Sequence, residues 1–582
     1  MASDVACEAD QLEVRARPSR AASAGLLGAC VASGGLAYLA VFDARCHGLV
    51  WIALVPYACV LRRATPAAAA YGGAFVGAAV FCALGLSFVH DCLDGVAAPA
   101  WFFASLAGAF CWVGGVFLGR QMARVAEWPM VAVLPLSWVT FEYLRHQAFA
   151  FADGNGMPLL WIGLALTDHE RLLQIADLGG VLALTALVAL VNGAVFDLLA
   201  GLAPRRTARR PRAAARSVLV ALGAVAAAWL YGQWRLGQPL GEPGPAIALV
   251  PGVLSGDPSV DHLAHLRRCC VTPPPPRGDG GEGTPPPAVD LFVWPEAAFA
   301  GPMLRDDRPG PGPSGTPADN GLPLLHAIAK NLGTGIVVGT ARVERNPEEG
   351  RDEFYNCLAY VSPQGGLAGI YDKRHLTSLL ESIPPWLCRL GWPGLEPVGI
   401  TLKPGDGFRR GRSAPLFLVG PDRTGRSFRV GPLVCYDVCF PDVHRAMMRE
   451  GGQAGPDLFL CAMKESFDKT GAVSRLTWMH TRLRAVEFRR PHFRACNGGP
   501  SGVFDSCGRV LLASDEDDRE PAILIGQAAG DSRASIYARY GDWLGAACSA
   551  VVLGLAVLGL GRAAWLRLGR RRHGATLTDM TK

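Results

Sequence analysis

Three residues of this chain stand where α/β folds do chemistry: Glu296 in "LFVWPEAAFAG", Lys373 in "IYDKRHL" and Cys435 in "PLVCYDVCFP". Each follows an apolar run that reads as a strand, and reactive groups at strand ends are a general habit of such folds. A cysteine nucleophile needs a base to take its proton and a donor to hold the oxyanion its attack creates. A glutamate can be that base, and a lysine that donor. Singly, each has a plainer reading: an acid at a helix N-terminus favoured by the dipole, a surface lysine, a buried core cysteine. Together, and in this order, they specify chemistry. Cys439 does not directly follow "PLV" and ranks below Cys435 as the nucleophile.

The elements that must position them lie in 240–542. Strands are expected over 246–254, in "VDLFVWP", in "TGIVVGTARV", on both sides of the turn at Gly365–Gly366, in "FRVGPLV" and in "DLFLCAM". Helices are expected over 261–271 and in "LLHAIAKNLG", and an Arg-rich helix follows "DLFLCAM". "PHFRACNGGPSGVFDSCGRVLLA" reads as a two-stranded hairpin. The tracts 272–288 and 305–321, rich in Pro and Gly, read as loop insertions. Strands alternating with helices point to an α/β sandwich.

The rest of the chain is of a different kind. Half of the 582 residues are hydrophobic and only 18% are charged, an excess concentrated in particular segments. Apolar stretches near 23–42, 48–62, 67–89, 98–119, 128–144, 179–202, 216–234 and 543–561 approach the roughly 20 residues a bilayer needs. That gives seven spans before the polar region and one after it. The boundaries expected are a membrane bundle over 1–235, a catalytic region over 240–542, and a final span with a basic tail over 543–582. Arginine clusters at 15–20, 62–63, 120–124, 205–216 and 567–572 fall on one side of an eight-span arrangement. By the positive-inside rule both termini are cytoplasmic and 240–542 lies outside. The net charge of +6 is modest, and no segment reads as a nucleic-acid module. Glu142, Arg145, Gln174 and Asp177 are unusual at membrane depth: they are either functional or seated at span ends.

"WPEAA", "YDKRHL" and "LVCYDVCFP" in that order resemble the nitrilase superfamily, whose members share an αββα sandwich. The seven-span bundle, outside domain and final span resemble its membrane branch, the apolipoprotein N-acyltransferases. The resemblance extends to Pro56, to "FEYLR" with "GMPLLWIG", to "QIADLGG" with Asn192, and to Asn356, Glu381, Tyr436 and Asn497. It implies Glu296 as general base, Lys373 as oxyanion stabiliser, Cys435 as nucleophile and Glu381 as a second essential carboxylate. Tyr436, Asp437, Asn356 and Asn497 would support the site or bind substrate. Four departures bear on substrate docking. Asp437 stands where the family usually has Glu, and Lys464-Glu465-Ser466-Phe467 where it usually has Asn-Asp-x-Trp. Pro251 replaces a common Gln, and "TSLLE" a loop like "VPFGE".

The implied reaction is transfer of a phospholipid acyl chain, through a Cys435 thioester, to the amine of an S-diacylglyceryl cysteine on an apolipoprotein. The expected setting is the bacterial inner membrane with the catalytic region on the periplasmic face, and no cofactor or metal is expected. A membrane-tethered amidohydrolase and a non-catalytic scaffold are the alternatives. Nine cysteines (269, 270, 357, 388, 435, 439, 461, 496 and 507) lie in the outside region, where an oxidising compartment permits disulfides. No C-x-x-C pairs suggest a structural zinc site.

Overall fold

The computed structural model describes residues 20–62, 65–92, 97–126, 128–202, 210–251, 289–298, 302–305, 322–346, 348, 350–364, 366–378, 380–382, 407–422, 425–450, 455–514 and 523–579. The helix expected over 261–271, the tract 272–288, nearly all of 305–321, Pro/Gly insertion included, and Cys269, Cys270 and Cys388 lie outside those residues.

The N-terminal half is a helix bundle. It comprises α1 (Arg20–Phe42), a 3-10 segment (Ala44–Trp51) running on to the short α2 (Val55–Leu61), α3 (Ala67–Gly85), α4 (Ala97–Val125), α5 (Met130–Asp153), α6 (Val181–Leu202) and α7 (Arg210–Leu236). Helices pack in a bilayer through small residues that let backbones approach. α1 and α3 do this at Gly34 and Gly77: a Cβ on Gly34 would fall 2.2 Å from the Gly77 carbonyl oxygen. Trp112, Trp138 and Tyr57 meet edge to face in the bundle's centre.

Seven helical segments among the described residues are long and apolar enough to cross a membrane: six before the sandwich and Trp543–Arg562 after it. α5, over the stretch expected at 128–144, has the length but is not among them. Its polar residues are the reason, and two of them, Glu142 and Arg145, lie inside the helix rather than at its ends. Glu142 and Arg145 are 1% and 2% exposed. The Glu142 carboxylate accepts hydrogen bonds from Trp138 Nε1 (3.0 Å), the Ile162 amide (2.8 Å) and Thr185 Oγ1 (2.7 Å). It ties α5 to the 160s and to α6, as a buried polar group must be satisfied.

The polar half holds two sheets. One runs β13 (Leu524–Gly526), β1 (Ile247–Leu249), β2 (Leu291–Val293), β4 (Gly335–Asn346), β5 (Arg351–Ser362), β6 (Gly366–Asp372), with β3 (Pro302–Arg305) on β4. The other runs β12 (Val510–Ala513), β11 (Gly502–Phe504), β10 (His492–Asn497), β9 (Leu458–Lys464), β8 (Phe428–Val434), β7 (Phe417–Val419). The expected hairpin over 491–513 is thus three strands.

Strand side chains alternate between faces, and the alternation sorts the core. Leu249, Val293, Val337 and Leu358 meet Val434, Leu460 and Phe493 between the sheets. Val250, Trp294, Val338 and Ala359 face outward onto α8 (Leu322–Leu332). The second sheet is covered by α9 (Pro441–Glu450) and α10 (Ala472–Phe488), which completes an αββα sandwich. α10 is shared: Leu476, Met479, Leu483 and Val486 belong to the bundle core, Phe488 to the sandwich core. A buried ion network reinforces this seam. Asp177 takes Arg489 and Arg235 at 2.5 and 2.6 Å, and Tyr231 donates to it at 2.7 Å. The last helix, α11 (Trp543–Asp579), returns to pack on α4 and α5.

Candidate active site

Glu296 sits just past β2, and its neighbour Ala297 has φ of 53°, a conformation costly for a residue with a Cβ. Its backbone lies against β4 at Gly339, where a Cβ would fall 2.3 Å from the Pro295 carbonyl oxygen and 2.6 Å from Glu296 Cα. Only glycine allows that approach. Lys373 directly follows β6, and its amide donates to the Asn356 carbonyl at 2.8 Å. Cys435 directly follows β8 with φ of 46°, so the chain turns sharply into a 3-10 turn (Cys435–Cys439). Strained backbone of this kind is held only when its surroundings over-determine it.

The surroundings do so through Asp437. Its carboxylate is fully buried and accepts from Tyr371 OH (2.8 Å), the His375 amide (2.8 Å) and the Val434 amide (3.3 Å). The turn that carries Cys435 is thereby fastened to the segment on either side of Lys373. Burial raises the Asp437 carboxyl, against the pull of His375 and Lys373.

Around Lys373 the charges close into a cluster. Its Nζ lies 3.2 Å from Glu296 Oε1 and 3.0 Å from Glu381 Oε1. Asn356 Nδ2 donates to both carboxylates at 2.7 Å. Glu381 Oε2 accepts the Thr377 amide at 2.8 Å. Burial alone would lower Lys373, but Glu296 and Glu381 outweigh it and hold the ammonium well above the lysine range. Burial likewise opposes the Glu381 charge, yet Lys373 brings its carboxyl below the usual range. The Cys435 thiol is half-buried, and its Sγ lies 3.9 Å from the Lys464 carbonyl oxygen. Burial first, then the Glu296 carboxylate, push it well above the thiol range, while Lys373 pulls the other way. A protonated thiol beside a carboxylate and a charged lysine can lose its proton as it attacks, with the developing oxyanion met by the ammonium.

The other expected residues fall nearby. Tyr436 is half-buried and packs edge-on against Phe440 at 4.8 Å. Asn497 ends β10 in register with Lys464, and its Oδ1 is buried with no hydrogen-bond partner among the described residues. Cys439 is fully buried, its thiol pushed up to about 12 by burial. Cys357, Cys435, Cys439, Cys461, Cys496 and Cys507 are all free thiols. The unusual Glu465 is turned into the core: it is fully buried and paired with Arg494 at 2.5 Å, with Ser474 and Thr477 donating to it. Sequence reasoning missed Gly339, Tyr371, His375 and the Thr377 amide. Of these, only Gly339 carried a local signal, a glycine inside a strand, which marks close backbone approach.

Comparison with known proteins bears on both halves. Residues 33–194 match the apolipoprotein N-acyltransferase N-terminal domain, and residues 282–534 match carbon-nitrogen hydrolase. The apolipoprotein N-acyltransferase of Geobacter metallireducens is 30% identical over 427 residues, 72% of this chain and 73% of that one. That of Rhodopirellula baltica is 27% identical over 500 residues, 78% of this chain and 81% of that one. The carbon-nitrogen hydrolase from Helicobacter pylori G27 is similar in structure with a TM-score of 0.30 at 13% identity, covering 49% of this chain and 89% of that one. With 30% of the aligned positions identical over 72% of this chain and 73% of its relative, and a family model matched in each half, the protein belongs to the apolipoprotein N-acyltransferase family, bacterial membrane acyltransferases that N-acylate lipoproteins.

Proposed function

We propose that the chain transfers an acyl chain from a phospholipid to the α-amine of an S-diacylglyceryl cysteine by a two-step cycle through Cys435. The observation that carries this reading is the Glu296–Lys373–Glu381–Asn356 cluster, whose charges act on the Cys435 thiol at the end of the adjacent sheet. Cys435 Sγ attacks the ester carbonyl as Glu296 takes its proton. Lys373 meets the oxyanion. Collapse breaks the ester bond, and the departing alkoxide takes the proton from Glu296 and leaves as lysophospholipid. The lipoprotein amine then attacks the thioester, Glu296 takes the amine proton, and the released sulfur recovers it. Glu381 is the permanent counter-charge: it keeps Lys373 an ammonium while Glu296 is transiently neutral. Asn356 holds the two carboxylates apart in fixed positions.

Both substrates are membrane-anchored, which is why a reactive sandwich is joined to a bundle of apolar helices through a fully packed seam. The arginine distribution supports a bacterial inner-membrane setting with the sandwich on the outer face. The test is mass spectrometry of a lipoprotein N-terminus from cells with and without the protein. The N-acyl group is expected only with it, and is expected to be missing with Cys435→Ala. A free amine in both strains would contradict the proposal.

A further inference from the structure

His375 lies at a crossing that the acyl-transfer steps do not use. Its ring stacks on Phe440 at 3.8 Å with planes 8° apart. Nε2 faces both carboxylate oxygens of Asp442, on α9, at 3.0 Å. Nδ1 faces Oδ1 of Asn155, just past the end of α5, at 3.3 Å. The orientation of Asn155 is fixed independently: its Nδ2 donates to the Leu376 carbonyl at 2.7 Å, and a carbonyl can only accept. Its oxygen is therefore the atom turned to the imidazole. Both ring nitrogens meet acceptors, and only an imidazolium donates from both. A neutral ring would leave one of these contacts as two facing lone pairs.

Three segments meet at this ring: the one leaving Lys373, the helix that follows the Cys435 turn, and the loop that leaves the bundle. The contact with the bundle is doubled by Arg410, which donates to the Gly154 carbonyl at 2.8 Å. We propose that His375 is a positioning residue that works as an imidazolium, clamping the Lys373 segment to α9 and to the membrane bundle, so that the reaction depends on its protonation. This rests on the acyltransferase reading for its kinetic readout but not for its geometry.

The charged groups around the ring come from every element packed on it. Asp442 and Asp437 stand on the Cys435 side, Lys373 and Arg374 on its own segment, and His146 of α5 lies beyond Phe440. Burial opposes the Asp442 charge, but His375 outweighs it and keeps that carboxyl below the usual range. Deprotonating His375 removes the donor to Asn155 or to Asp442. The Lys373 segment then loosens from the bundle, and the oxyanion donor loses its aim.

The test uses the full chain in detergent micelles. Acyl-enzyme formation from phospholipid is followed against pH for wild type, Asp442→Asn and His375→Gln. The His375 resonance, identified by its loss in His375→Gln, is titrated in 13C-histidine-labelled wild type and Asp442→Asn. Removing a carboxylate in contact with an imidazolium is expected to move the alkaline limb and the resonance midpoint to lower pH. His375→Gln is expected to lose that limb and to slow acylation roughly tenfold with KM for phospholipid unchanged, since a misaimed group costs rate rather than binding. An alkaline limb and a resonance that stay in place in Asp442→Asn would overturn the proposal. A protein that forms no acyl adduct at any pH would refute the acyltransferase reading instead, and the resonance titration alone would then decide the role of His375. If His375→Gln does not fold, the shift in Asp442→Asn decides the kinetic question.

Discussion

Asp437 Oδ1 accepts the His375 amide at 2.8 Å, so the turn that carries the nucleophile and the segment that carries the lysine are tied by one buried carboxylate. The same side chain takes Tyr371 OH and the Val434 amide, and it is fully buried. A longer acid has no room there. Asp437→Glu is expected to cost about 1–3 kcal/mol through overpacking, read as a lower Tm, and to slow acylation by displacing Cys435. An unchanged Tm and rate would show that the turn is not held in this way.

Gly339→Ala tests the placement of Glu296 from the opposite side. The added methyl would meet Pro295 and Glu296 backbone at 2.3 and 2.6 Å, neither of which is a flexible side-chain end. A shift of about 1 Å at a reacting group is worth roughly a hundredfold in rate, and a loss of that order in acyl-enzyme formation is expected. A fully active Gly339→Ala enzyme would remove Glu296 from the reaction.

The two cysteines of the turn divide by surroundings. Cys435→Ala is expected to abolish transfer. Cys439 touches core rather than site, so Cys439→Ala should keep most activity and lose on the order of 1 kcal/mol of stability, the worth of a small buried apolar group. The reverse pattern in the same assay would exchange their roles.

The Glu381–Lys373 pair predicts a pH dependence. The folded Glu381 carboxyl lies below its ordinary value, so its contribution to stability is complete above the usual glutamate range, about pH 4.3. It is lost as pH falls through the folded value. Wild type should therefore melt above Glu381→Gln at neutral pH, and the gap should narrow as pH falls below about 4. A gap that stays constant into acid would mean that the carboxylate is not charged in the fold.

Much of the site was legible because its signals are local. An apolar run leading into Glu296, Lys373 or Cys435 can be read without knowing what lies across the fold, and so can the apolar runs of β1, β2 and β4. What was not legible depends on partners far along the chain. Glu142 is satisfied by Ile162 and Thr185, 20 and 43 residues away. Without them it reads equally as a functional or an interfacial acid. Glu465 reads from sequence as an altered docking residue, because the partner that neutralises it in the core, Arg494, lies 29 residues on. Asp437, shorter than the family's usual Glu, reads from sequence as a departure at the docking surface, whereas in the fold it is buried and accepts from three donors. α5 shows the limit of composition: it is a bundle helix of spanning length whose polar residues, cross-linked inside, keep it from reading as a uniformly apolar span.

The central claim is a Cys435 thioester that discharges onto an amine. The direct measurement is intact-mass analysis of the full chain incubated with phospholipid alone, then with an S-diacylglyceryl peptide bearing a free α-amine. The account predicts a single acyl adduct on Cys435, released by neutral hydroxylamine, missing in Cys435→Ala, and formed more slowly in Glu296→Gln and Lys373→Ala. Adding the peptide should clear the adduct and yield N-acylated peptide, while an N-acetylated peptide should leave it in place. Free fatty acid released at the same rate with or without peptide, and no N-acylated product, would contradict the account and identify the enzyme as a hydrolase.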